Sequence, residues 1–203
     1  MLQATITIPE AIPSSLDFTA SELRGRARGA VICGAFGAIW MFESLFFGAL
    51  MNLASLLGIA LLAIAFVVWP VTQLRSLRGW AAPSADRQRW NAMAVPYWIN
   101  LGVEWLACCA ACIWLAHIRR YDLIPQSLGI VIGVHFVPLA WIFRMPIYNW
   151  TAVGMVLAAV ATLAIPAGHL RDFAGYGVNG LSLWVTAAVI LCQDRSYHAR
   201  PTA

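Results

Sequence analysis

The chain predicts an all-α class: a polytopic membrane bundle of six transmembrane helices. Three observations carry this. Of 203 residues, 61% are hydrophobic and only 11% charged, well outside the proportions of a soluble domain. Apolar runs near the roughly 20 residues a helix needs to cross a bilayer recur six times. No stretch alternates apolar with polar residues as a barrel strand does, and hydrocarbon leaves an open strand's backbone groups unsatisfied.

The domain reading follows: a cytoplasmic tail over 1–28, a six-helix transmembrane domain over 29–192 and a cytoplasmic C-terminal tail over 193–203. The first segment lacks the basic start and apolar core of a cleavable signal and is expected to stay attached. In it Ser14 or Ser15 can cap a short helix with Asp17 in its first turn, Phe18 and Leu23 on one side, and Arg24, Arg26 and Arg28 following. That pattern suits an interfacial amphipathic helix; a loose tail is the competing reading.

The six spans are expected near 29–50, 53–73, 93–117, 127–143, 148–166 and 176–192, the fourth and sixth being short enough to compete with a half-span reading. With the N-terminus cytoplasmic, arginines 24, 26, 28, 75, 78, 87, 89, 144, 195 and 200 lie inside and only 119, 120 and 171 outside, which favours that orientation. Trp80, Trp90, Trp150 and Tyr148 fall at span ends, where amphipathic rings anchor. Ala30, Gly34 and Ala38, and again Gly154, Ala158 and Thr162, repeat every four residues. Such stripes allow close helix contacts within a bundle or in a homo-oligomer.

All 13 basic residues are arginine, so mechanisms that need a lysine Schiff base, retinal binding among them, are excluded. The arginines form no continuous basic face, which argues against nucleic acid. The lipid bilayer is the expected partner.

On a helical wheel of the third span, "NLGVEWLACCAACIWLA", Trp98, Trp105, Cys109 and Cys112 share one face, which reads as packing. Tyr97, Asn100, Glu104, Ala107 and Ala111 lie nearly opposite, with Cys108 at their edge. Glu104 therefore does not converge with the CxxC pair on one metal.

An ionisable residue in hydrocarbon costs on the order of 3 kcal/mol on insertion scales and needs a reason. Glu104 and His135 fall near the middle of their spans, with Glu43 about 5 Å outward at 1.5 Å per residue. The expected solute or proton pathway is Glu43, Tyr97, Asn100, Glu104 and His135. A buried carboxyl can hold a proton near neutral pH, and histidine titrates there; a carboxyl bonded across helices as a structural link is the competing reading. Pro138 cannot donate to the carbonyl of Val134, so a kink is expected beside His135. Arg144 reads as a snorkelling side chain, and His117 and His169 are too few for a metal claim.

The segment "GVHFVPLAWIFRMPIYNWTAVG" resembles a stretch of small uncharacterised bacterial multi-span integral membrane proteins. The resemblance implies a bacterial inner-membrane setting and transfers no site residue. The leading expectation is a small transporter or channel, linked to protons. The alternatives are a non-catalytic assembly or regulatory subunit and, disfavoured by a single deep histidine, a membrane-embedded enzyme. No metal, cofactor or catalytic residue is expected.

Overall fold

A computed structural model describes residues 20–76 and 84–198. Among the described residues six helices follow one another: α1 (Ala20–Phe47), α2 (Leu53–Ser76), α3 (Ser84–His117), α4 (Ile124–Phe143), α5 (Ile147–Thr162) and α6 (His169–His198), with one 3-10 turn, Tyr121–Leu123, before α4. No strand occurs among the described residues. Five spans, all but α5, are long and apolar enough to cross a membrane. The chain is an all-α, apolar helical bundle of membrane-protein character.

The short helix is α5, of 16 residues, rather than the fourth or sixth; α4 runs for 20 and α6 for 30. Polar residues at the start of α6, from His169 to Asp172, made that span look shorter than the helix is. Ser14, Ser15, Asp17, Phe18 and Trp80 lie outside the described residues.

Turn chemistry fixes the helix ends. Ala49, Arg119 and Arg144 adopt φ of 56°, 55° and 53°, a left-handed geometry that costs an L-residue about 1–2 kcal/mol. Each is followed by an amide that bonds five residues back: Leu50 to Leu45 at 3.0 Å, Arg120 to Leu115 at 2.8 Å and Met145 to Ala140 at 3.0 Å. These are Schellman closures, which satisfy carbonyls the helix would otherwise leave orphaned. At the start of α2, Asn52 Oδ1 accepts from the Ser55 amide at 2.9 Å while Ser55 Oγ accepts from the Asn52 amide at 3.1 Å, a reciprocal cap.

The tightest seam joins α1 to α6. A Cβ on Gly37 would lie 3.1 Å from the Gly180 carbonyl oxygen, and one on Gly180 would lie 2.9 Å from the Gly37 carbonyl oxygen. Only glycines permit that approach. Trp184 locks the seam: its Nε1 donates to the Gly34 carbonyl at 3.0 Å and its ring stacks on Phe66 of α2, centroids 5.6 Å apart. The expected stripe partner Gly34 thus packs inside the bundle, against Phe66.

α4, α5 and α6 complete the core around Met155, Leu183, Ala187, Ile190 and Leu191. Tyr148, expected as an interfacial anchor, is instead buried at 4% exposure between Phe136 and Phe143. Its hydroxyl comes against Gly29, where a Cβ would lie 2.5 Å away. Trp150 is 72% exposed. α2 packs mainly on α1 and α3 mainly on α4, so both are peripheral.

Cross-helix bonds define two ends. Arg26 Nη2 donates to Gln193 Oε1 at 2.8 Å, tying the first helix to the last at one end. At the other, Ser44 Oγ donates to the Phe173 carbonyl and His169 Nδ1 to the Phe47 carbonyl, both at 2.7 Å.

Candidate functional site

The third-span wheel decides what faces what. Trp98 and Trp105 are 65% and 63% exposed and Cys109 is exposed as well, while Cys112 is half-buried, so most of this face does not pack within the bundle, against expectation. In a bilayer such a face meets lipid, where apolar and aromatic side chains are at home without a protein neighbour. The opposite stripe, Tyr97, Asn100, Glu104, Ala107, Cys108 and Ala111, is partly buried and turned inward. All five cysteines are free thiols.

On that inward stripe a three-residue polar group bridges α3 and α4. Glu104 Oε2 lies 3.3 Å from His135 Nδ1, the two side chains 15% and 9% exposed. Asn100, one turn before Glu104, brings Nδ2 to 3.0 Å from His135 Nδ1 and 3.3 Å from the His135 carbonyl oxygen. A carbonyl oxygen only accepts, so Asn100 presents its NH₂ to α4.

The local sequence supplies the geometry. Asn100 and Glu104 stand four residues apart and share a helical face. Pro138 sits inside α4, which continues unbroken through it to Phe143. Sequence reasoning put the freed carbonyl at Val134; the carbonyl that receives a donor from α3 is the next one, that of His135.

Tyr97 lies a turn further on and meets Phe143 edge-on, centroids 5.8 Å apart, rather than bonding to the polar group. Glu43 stands apart. It is carried by α1, near Tyr176 of α6, and forms no hydrogen bond or ion pair with Glu104 or His135. His117 lies against Trp114, while His169 is taken by Phe47.

A second polar group, not anticipated from the sequence, sits where α4 and α6 begin. Asp122 receives Arg120 Nε at 3.0 Å and, on its other carboxylate oxygen, Arg171 Nη2; that same Nη2 also donates to the Asp122 carbonyl at 3.0 Å. Asp122 holds the exposed Arg120 above its ordinary range, first through the hydrogen bond and then through charge. Arg171 is buried at 6% exposure, and below it lie Gln126 at 2% and Asn179 at 0%. The signal was there to read: an arginine, a glutamine and an asparagine at the edge of, or inside, apolar spans.

Residues 99–193 match the model of a family of unknown function (DUF7010). That stretch holds Asn100, Glu104 and His135 and both ends of the second polar group; Glu43 and Tyr97 fall outside it. No curated protein and no solved structure matches the chain.

Proposed function

We propose that this chain is a proton-linked transporter or channel whose proton-holding site is Glu104 and His135, positioned by Asn100. The observation that carries the reading is the approach of Glu104 Oε2 to His135 Nδ1 at 3.3 Å, with Asn100 at the same nitrogen. One Nδ1 cannot serve both neighbours in the same way. With Nδ1 unprotonated it accepts from the Asn100 NH₂, and Glu104 keeps the proton. With Nδ1 protonated it donates to the Glu104 carboxylate, and Asn100 retains only its bond to the His135 carbonyl.

Moving one proton thus changes how α3 is tied to α4. Because α3 is a peripheral helix that packs mainly on α4, this seam is the economical place for movement. Intramembrane ionisable groups that pair with each other are a recurring element of proton relays.

The reading includes the setting. The Arg26–Gln193 bond brings the first and last helices together at one end of the bundle, the end rich in arginines, which supports cytoplasmic termini in a bacterial inner membrane. The test is proton flux into vesicles of the reconstituted protein under an imposed pH gradient. The parent is expected to conduct, with Glu104→Gln and His135→Ala each reduced at least tenfold. Equal flux in parent and both variants would reject the assignment.

A further inference from the structure

α1 lies on α6, α3 lies on α4, and α4 meets α6, yet α1 and α3 scarcely touch each other. A groove therefore runs between α1 and α3 above the α4–α6 contact. Its α3 side is not sealed by packing: none of residues 91–114 is buried, Leu115 being the first on α3 that is. Glu104, Cys108 and Cys112 all stay partly exposed, which leaves room beside them for at least a water molecule.

Polar groups line this groove in steps. Glu104, Cys108 and Cys112 are four residues apart, about 6 Å per step at 1.5 Å per residue, and the row drifts about 40° around α3 at each step. It leads from the His135 contact toward the end of the bundle that carries His169. There Tyr176 of α6 stands within electrostatic reach of both Cys112 on α3 and Glu43 on α1, with Asp172 one turn nearer the surface. Trp40 and Phe47 hold Tyr176 in place, ring centroids 5.5 and 5.1 Å away. At this one level α1 brings a carboxyl, α3 a thiol and α6 a phenol.

Glu43 tells what fills the groove. It belongs to an apolar span and is only partly buried, and it forms no hydrogen bond or ion pair among the described residues. An acyl chain offers a carboxyl nothing, so carboxyls within a span face protein partners or a water-filled space. Protein gives Glu43 no such partner, which leaves water. We propose that water enters this groove from the His169 end and reaches the Glu104–His135 pair past Cys112 and Cys108, with Glu43 facing the same water as Cys112. As the route by which a proton reaches the pair, the groove rests on the proposed function; as a wetted groove it does not.

Thiol modification of the full chain in lipid nanodiscs, open on both faces, tests it. The reagent is a methanethiosulfonate bearing a trimethylammonium group, which reacts in water and stays out of hydrocarbon. In forms that keep one cysteine each, the others replaced by alanine, Cys112 is expected to react at least tenfold faster than the lipid-facing Cys109, and Cys108 at a rate between them. Glu43→Gln is expected to slow Cys112 at least threefold with this cation but not with the anionic sulfonate analogue. Should a single-cysteine form not fold, fragment-ion mapping of the labelled parent chain reads the same three sites. Cys112 reacting no faster than Cys109, the result of a groove filled by lipid, overturns the proposal. So does a Glu43→Gln form whose Cys112 reacts at the parent rate with both reagents. Fast Cys112 labelling without proton flux would reject the proposed function and leave the groove standing; flux with Cys112 unlabelled would do the reverse.

Discussion

The glycine crossing at the middle of the α1–α6 seam and the polar crossing of α3 with α4 are closed by different means. The first closes through glycines facing glycines, with Trp184 bonded to the Gly34 carbonyl and stacked on Phe66, and no ionisable side chain in the contact between Gly37 and Gly180. The second joins a peripheral helix to α4 through Asn100, Glu104 and His135. In lipid, association draws on close packing and interhelical hydrogen bonds rather than on apolar burial. The glycine crossing uses mainly the former; the polar crossing adds the latter, and under the proposed function a proton sets which bond His135 Nδ1 makes. Under that proposal, the difference separates the part that holds the bundle from the part that responds to a proton.

Substitutions that break the contrast are ordered by size. Gly37→Leu is expected to cost the most, about 3 kcal/mol or loss of folding, because even a Cβ there lies 2.5 Å from Trp184 Cδ1 and 3.1 Å from the Gly180 oxygen. Thermal unfolding in detergent reads it. Arg171→Leu removes the buried partner of Asp122; since Asp122 keeps Arg120 and is partly exposed, the loss is expected near 2 kcal/mol, below the value for a fully buried pair. Trp184→Phe deletes one buried hydrogen bond and leaves the Gly34 oxygen without that donor, about 1–2 kcal/mol.

Asn100→Ala sharpens the comparison from the other side. Its stability cost is expected to stay below about 1 kcal/mol, in line with interhelical bonds in membranes, while pH-dependent flux falls severalfold. A variant as destabilised as Gly37→Leu with unaltered pH dependence would make the α3–α4 link structural. Trp105→Leu, on the outward face, is expected to change stability by no more than about 0.5 kcal/mol and flux not at all.

Much of the α3 face was legible because that span carries its own contrast. Asn100 and Glu104 among leucines, alanines and tryptophans define an angle on the wheel, and an ionisable group in hydrocarbon must face protein or water. Elsewhere the helices are apolar all round, so periodicity does not say which side meets a neighbour. Hence the Gly37–Gly180 approach was not foreseen, although Gly34, one turn away, stood in an expected stripe. Depth along the chain gives no lateral position: Glu43 is carried by α1, which packs mainly on α6 and α2. Gln126 and Asn179 carry no charge to draw attention, yet a buried neutral amide also needs partners, at a smaller cost than a buried charge.

The proton itself is the most direct test of the α3–α4 assignment. Infrared difference spectra of the reconstituted protein across a pH titration report the C=O stretch of a protonated carboxyl. The parent is predicted to show a carboxyl band whose intensity follows pH, absent in Glu104→Gln and displaced along the pH axis in His135→Ala. The same band with the same titration in the parent and in Glu104→Gln would show that Glu104 holds no exchangeable proton, and would contradict the account.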